Sequence, residues 1–434
     1  MSARKIAFET LLRLEKDKSY SNIAVDNAIR KYGLAGAERS FFCILVYGVI
    51  ERKITLDYVI DSLSSLPAHK IEAETRMLLR LGLYQLMYLD RVPPHAVLNE
   101  TVALAPRRSR GFVNALLRAY TRTKEDVEFP KKEDNFSLYL SVTYSYPVPL
   151  CEKLMGEYGE AVTEQMLAAF NQTPDITIRA NTLKHSREEL LATLTAKGLG
   201  AVPTKNAPHG IKISSASLAE IGIEEGLCFV QDEASQICVE ALGAIPGDVV
   251  YDVCSCPGSK SFGAAMDMGN KGEILSSDLH ENKLSLVVKT ANALGITILR
   301  TEARDARVLD ESRVDRADRV ICDVPCSGFG VVAKKPEIRY KDLSECKALP
   351  DIQYDILNTA CRYLKKGGVL IYSTCTIFAE ENEKNVERFL ASHPNFELVP
   401  FQVGKVEAKS GMRTLLPHEF GTDGFFIAKL TRKE

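Results

Sequence analysis

The chain has 434 residues, 45% of them apolar and 26% charged, so it is long enough for two or three domains with well-buried cores. A net charge of -2 removes any global signature of nucleic-acid binding, although a local basic face would suffice for one. The 11 cysteines are odd in number and irregularly spaced. With no apolar run near roughly 18 residues and no signal peptide ahead of the first helical pattern, the expectation is a cytoplasmic protein with reduced thiols and no membrane span.

Residues 4 to about 125 read as helix throughout. Ile6, Ala7, Leu11 and Leu14 follow a helical period, as do Ile23, Ala24, Ala28 and Ile29. Phe41 to Ile50 and Met77 to Leu89 are apolar nearly all round, which suits the central helices of a bundle. Residues 1–127 therefore form an expected helical domain. Near its end Arg107, Arg108 and Arg110 precede Gly111-Phe112-Val113-Asn114, and Arg118 and Arg122 follow. A basic helix start can hold RNA phosphates through charge and backbone donors. Composition alone favours a solvated helix face.

Glu128 to Asn135 is charged and proline-containing, a linker by composition. Residues 136–224 read as a small α+β module. Helices are expected around Pro149–Tyr158 and Ala161–Phe170, strands at Ile176–Arg179 and Ile211–Ile213, and Ser186-Arg187-Glu188-Glu189 has the capping-box pattern.

From residue 225 to 434 the pattern repeats strand, turn, helix. Val249–Val253, Glu273–Ser277, Ile296–Leu299, Arg319–Cys322 and Val369–Tyr372 are short and β-rich, which predicts a doubly wound parallel sheet. Ligands in such sheets bind beyond the carboxyl ends of the strands. The first strand runs into Cys254-Ser255-Cys256-Pro257-Gly258-Ser259-Lys260, whose small residues allow close backbone approach. It fits neither a P-loop nor G-x-G-x-x-G, and Cys254 and Cys256 lack a second pair at zinc-ligand spacing, so no metal is expected. Asp278 closes the second strand and suits a ribose hydroxyl pair; Asp305 follows the third, where it or its backbone could hold an adenine amino group. Each alone is as well read as a helix cap or a surface charge, but together they suggest a nucleoside-type cofactor.

The last two of these strands end in Asp323-Val324-Pro325-Cys326 and Ser373-Thr374-Cys375. A lone buried cysteine is usually a small hydrophobe, which is the reading for Cys43, Cys228, Cys238 and Cys361. Cys326 and Cys375 differ, because proline, hydroxyl and carboxylate side chains surround them on one expected rim. A redox pair is the competing reading, and the wide spacing does not resemble Cys-x-x-Cys.

The segments Asp323–Gly328 and Ser373–Thr376, with the Pro-Gly-x-Lys turn upstream, resemble the RNA cytosine-C5 methyltransferases, and the helical N-terminus resembles the NusB RNA-binding domain. The combination is similar to the bacterial branch that acts on 16S rRNA. Arg179–Lys184, Val230–Ala234 and Leu416 to Phe426 match as well, so the resemblance covers essentially the whole chain. It implies an all-α NusB-like domain, a small α+β module and a Rossmann-like catalytic domain. It also implies S-adenosylmethionine held by Cys254, Ser255, Cys256, Pro257, Gly258, Ser259, Lys260, Asp278, Asp305 and Asp323. Catalysis would fall to Cys375 as nucleophile, Cys326 in product release, and Asp323 with Lys260. A thiolate added to C6 activates the weakly nucleophilic C5, and a protonated Asp323 could donate to N3. The expected partner is 16S rRNA and the expected state a monomer, since a bulky RNA must reach the rim. The alternatives are a tRNA or another rRNA site, or a non-catalytic RNA-binding assembly factor. One departure stands out: Ser259 replaces the family's second glycine, which matters only if that position needs a positive φ.

Overall fold

The computed structural model describes residues 1–17, 20–214 and 220–434, and its chain divides into two compact units. The first comprises Met1–Gln172 with Val332–Lys341, and the second Thr173–Val331 with Asp342–Glu434.

The first unit holds α1 (Ala3–Asp17), α2 (Ser21–Tyr32), α3 (Gly36–Glu51), α4 (Lys53–Leu63), α5 (Ala73–Tyr88), α6 (Pro94–Leu104), α7 (Arg110–Thr123), α8 (Phe136–Tyr144), α9 (Val148–Tyr158) and α10 (Glu160–Phe170). As their all-round apolar sequences require, α3 and α5 lie at the centre, with Phe42, Leu45, Leu78 and Leu81 fully buried. Gly48 lets them approach: a Cβ there would stand 1.9 Å from the Tyr84 ring. Arg107, Arg108, Arg110, Arg118 and Arg122 are all exposed, on α7 and the turn before it. The segment Val332–Lys341 belongs to this unit through Arg339. That buried guanidinium donates to the Glu51 carbonyl at 2.9 Å and to Asn171 Oδ1 at 3.1 Å, and lies 4.3 Å from the Tyr146 ring centre.

The second unit contains two larger sheets. The smaller is built from β1 (Ile176–Ala180), β2 (Ala201–Pro203), β3 (Gly210–Ile213) and β4 (Cys228–Val230), antiparallel in the order β2-β3-β1-β4. Beside it α11 (Arg187–Ala196) carries the expected capping box between Ser186 and Glu189. The remaining elements are α12 (Glu233–Leu242), β5 (Val249–Asp252), α13 (Ser259–Asp267), β6 (Glu273–Asp278), α14 (Glu281–Leu294), β7 (Leu299–Ala303), β8 (Ala317–Asp323), α15 (Leu349–Ala360), β9 (Leu364–Thr374) and α16 (Glu383–Ser392). They are followed by β10 (Phe396–Leu398), β11 (Phe401–Val403), β12 (Val406–Ala408), β13 (Met412–Leu415), α17 (Pro417–Phe420) and β14 (Phe425–Arg432). The large sheet has the order β10-β14-β9-β8-β5-β6-β7, with α12, α13 and α14 on one face and α15 and α16 on the other.

The sheet departs from the expected pattern in two respects. Only β5 to β9 are parallel; β14 runs antiparallel to β9, β10 and β13, so the sheet is mixed. The buried run Phe425–Ala428 supplies that extra strand through a local pairing with β13. The third strand lies at Leu299–Ala303, not Ile296–Leu299, because Ile296 packs into the core just after α14. As an edge strand, β7 tolerates the charges of Arg300 and Glu302 that hid it. The two sheets are joined by Arg179 on β1, which is fully buried and pairs with Asp267 and, at 3.2 Å, with Glu240. Asn181 adds bonds of 2.8 Å to the Gly226 and Leu294 carbonyls. Among the described residues no helix is long and apolar enough to cross a membrane.

Candidate active site

The site begins where β5 stops. Val253 still pairs with the Ile321 carbonyl, and the chain then turns, with Ser255 N–H donating to the Ser277 carbonyl at 2.8 Å. Gly258 takes a φ of +99°, and a Cβ there would stand 2.5 Å from the Phe262 ring, so glycine is required. Ser259 is the first residue of α13 and its φ is not positive. The left-handed residue of the turn is Gly258, which removes the steric objection to serine at 259.

The turn is held from below and from the side. Buried Ser261 donates to Asp252 Oδ2 at 2.7 Å and lies 2.6 Å from Ser276 Oγ. Asp252 is enclosed, and burial pushes its carboxyl up to about 7 against the opposing bond from Ser261. Asp278 accepts the Cys256 N–H at 3.2 Å and the His280 N–H at 3.0 Å, bracing the turn from the end of β6. Ser255 Oγ is buried and has no hydrogen-bond partner among the described residues, so a polar group there is left for a ligand. Burial raises the Cys254 and Cys256 thiols, with Cys322 and nearby carboxylates adding at Cys254, and Asp278 at Cys256, which is pushed up to about 12. Asp305 lies two residues beyond β7, but its carboxylate is engaged by Arg307 at 3.0 and 2.7 Å.

At the adjacent strand ends the reactive groups converge. Lys260, nearly buried on α13, donates to Asp323 Oδ2 at 2.6 Å, and Ser373 donates to Oδ1 at 2.7 Å. Burial opposes the Lys260 charge, but the Asp323 carboxylate outweighs it and holds the ammonium above its ordinary value. The Cys326 and Cys375 sulfurs stand 3.1 Å apart, although 49 residues separate them in sequence. Backbone bonds lock the two loops: Val324 N–H to the Ser373 carbonyl at 3.1 Å and Gly330 N–H to the Cys375 carbonyl at 2.9 Å. Gly330 must be glycine, since a Cβ would meet the Gly424 carbonyl at 1.8 Å.

The two thiols are inequivalent. A hydrogen bond from Cys326 lowers Cys375 against the effect of burial, and Lys260 assists. The same bond and burial raise Cys326, with Glu381 and Asp323 adding to the rise. The pair titrates as a unit, and the direction of the shifts favours loss of the first proton from Cys375.

Beneath both loops lies a polar layer that motif reading missed. Glu381 Oε2 accepts the Ser327 N–H at 2.9 Å and Gln353 Nε2 at 2.8 Å, while Ser327 and Thr376 hydroxyls meet at 2.8 Å. Thr374 donates to Asn382 at 2.6 Å. In sequence, Glu380-Glu381-Asn382-Glu383 reads as an acidic surface run, whereas Glu381 and Asn382 are buried. Only the nearness of this run to Cys375 could have flagged it.

A glycine turn after β5 and two thiols on the neighbouring strand ends, carried on a sheet with one antiparallel addition, point to the Rossmann-like methyltransferases, and the comparisons agree. Residues 239–431 match the family model 16S rRNA methyltransferase RsmB/F, residues 1–122 match the NusB family, and residues 146–219 match the RsmF/B-like ferredoxin-like domain. The chain is 35% identical to the probable ribosomal RNA small subunit methyltransferase B of Synechocystis sp., covering 100% of both. It is 34% identical to the probable enzyme of that name from Bacillus subtilis, over 100% of this chain and 99% of the relative. The crystal structure of PH0851 superposes with a TM-score of 0.80 at 28% identity, covering 100% of this chain and 99% of that one. The chain belongs to the ribosomal RNA small subunit methyltransferase B family.

Proposed function

We propose that this chain transfers a methyl group from S-adenosylmethionine to C5 of a cytosine in 16S rRNA through a covalent bond between Cys375 and C6. The observation that carries the reading is the meeting of Cys326 and Cys375 at 3.1 Å beside the Lys260–Asp323 pair. The cofactor, when bound, supplies an electrophilic methyl group on a sulfonium. The turn Cys254 to Lys260 would hold it, with the unpartnered Ser255 hydroxyl facing it and Asp278 accepting from the ribose. Because Arg307 occupies the Asp305 carboxylate, the backbone near Asp305 is the better partner for the adenine amino group.

The Cys375 thiolate adds to C6, and the electrons of the C5–C6 double bond move into the ring. The Lys260–Asp323 pair supplies a proton to N3, which offsets the charge that builds there. C5 then forms its bond to the methyl group as the sulfonium–methyl bond breaks. The N3 proton returns to the Lys260–Asp323 pair, and loss of the C5 proton to a base re-forms the C5–C6 double bond and expels the Cys375 sulfur. Cys326 assists that last step. The exposed arginines before and along α7 are placed to hold phosphates of the RNA.

The test is transfer of labelled methyl groups to 16S rRNA, with the product located by bisulfite mapping. Cys375→Ala is expected to abolish transfer, and Cys326→Ala to accumulate a protein–RNA adduct on a denaturing gel. Transfer by Cys375→Ala would refute the nucleophile assignment.

A further inference from the structure

Two cysteines 3.1 Å apart are chemically alike, so something around them must decide which one ionises. Charged and titratable groups act on each thiol. Cys326 is faced by Cys375, Glu381, Asp323 and the Tyr372 hydroxyl, and Cys375 by Cys326, Asp323, Lys260 and Asp423. Asp323 acts on both thiols and cannot discriminate strongly between them. Lys260, paired with Asp323, favours ionisation of Cys375 from the other side of the pair. Glu381 is different in kind. It is 2% exposed, its Oε2 holds the backbone N–H next to Cys326, and its Oε1 has no hydrogen-bond partner among the described residues.

A buried carboxylate bonded only to neutral donors is a poor stability device, since its desolvation is not repaid by a cation. Its surroundings are nevertheless constructed. Gln353 Nε2 donates both to Glu381 and to the Pro325 carbonyl at 3.0 Å, and Tyr372 donates to the Glu381 carbonyl at 2.6 Å. The carboxylate is thus bolted to the 325–327 turn, and the Glu381 backbone to β9.

We propose that Glu381 is the positioning residue that makes the two cysteines unequal: its buried carboxylate fixes the Cys326 turn and sets a negative charge beside that turn. The idea deepens the methyltransferase reading and rests on it for its purpose, because a Cys326 that stays protonated leaves Cys375 free to attack. Glu381 works through the Ser327 amide and through its charge, which raises Cys326.

The test reads the thiols directly, without RNA. The full-length protein is alkylated with iodoacetamide across a pH series, and the Cys326 and Cys375 peptides are quantified by mass. Glu381→Gln keeps the shape and removes the charge. Cys326 alkylation at neutral pH should then rise about tenfold, the consequence of a fall of about one pKa unit. Gln353→Met removes the donor that ties the carboxylate to the Pro325 carbonyl, so the hold on Cys326 weakens and Cys326 alkylation should rise by about threefold. This second variant carries the test if Glu381→Gln fails to fold. Cys326 rates unchanged from wild type in either folded variant overturn the proposal. A wild-type protein that alkylates as expected but transfers no methyl group would refute the proposed function and leave the Glu381 assignment standing.

Discussion

The first unit and the sheet rim treat buried charge in opposite ways. On α5 the nearly buried Arg80 donates four hydrogen bonds of 2.8 to 3.3 Å, two to Asp57 and two to Glu15. Burial alone would lower that guanidinium, but the two carboxylates hold it up. At the rim, Asp252 is as buried, accepts from the neutral Ser261 and pairs with no cation among the described residues. Glu381 and Ser255 each keep a buried oxygen without a partner among the described residues. The completed Arg80 cluster serves the fold. Where charge is left incomplete it weakens the fold and leaves polar groups for a ligand or a reacting atom.

The sharpest way to separate the two is pH. The Asp252 carboxyl in the folded chain sits at about 7, against 3.8 for an ordinary aspartate, so between those values the folded state binds the extra proton. Stability from this residue is therefore full below about pH 4 and falls as pH rises towards 7. Asp252→Asn mimics the protonated form and lacks that slope. The variant should match wild type near pH 4 and exceed it by up to about 4 kcal/mol at pH 8 in urea unfolding. Parallel stability curves would show that burial does not hold the Asp252 carboxyl above its ordinary value. Arg80→Met works in the reverse sense. It strands Asp57 and Glu15 and should cost about 3 kcal/mol at neutral pH. A loss below about 1 kcal/mol would put Arg80 among ordinary surface pairs.

The exposed arginines offer a third contrast, since solvated charges should matter little to folding and much to RNA. Changing Arg107, Arg108 and Arg110 to alanine should leave the melting temperature nearly unchanged. It should flatten the plot of log affinity for rRNA against log salt by about 0.9 for each phosphate no longer neutralised. An unchanged slope would return that helix start to a merely solvated face. Arg108 should contribute least of the three, because Glu72 already pairs with it at 2.7 Å.

How far these features were legible in sequence follows from the range of the interactions. The helical period of α1 and the apolar girth of α3 and α5 are local, and so is the Ser186 capping box; all were readable. Strand ends bearing Asp278, Asp323, Cys326 and Cys375 were readable because chemistry follows each apolar run. The antiparallel β14 was not, since pairing across the sheet is non-local and a strand carries no mark of direction. Glu381 was hidden for a related reason. An acidic run signals solvent unless the fold places a buried amide over it, and Ser327 lies 54 residues away.

The smallest effect tests a single residue of the turn. Ser259 stands where related turns carry glycine, and it occupies the first position of α13 with no positive φ. Ser259→Gly therefore gains no conformation that the turn needs and loosens the unfolded chain and the helix start. A destabilisation of about 0.5 kcal/mol is expected. Cofactor affinity, read by calorimetry with S-adenosylmethionine, should stay within about twofold, because Gly258 supplies the tight approach and the Ser259 carbonyl already accepts from Gln231 at 3.1 Å. A tenfold gain in affinity would mean that the serine side chain obstructs the cofactor. The rim would then be incomplete at this residue through steric compromise rather than through the electrostatics that set Asp252 and Glu381 apart from Arg80.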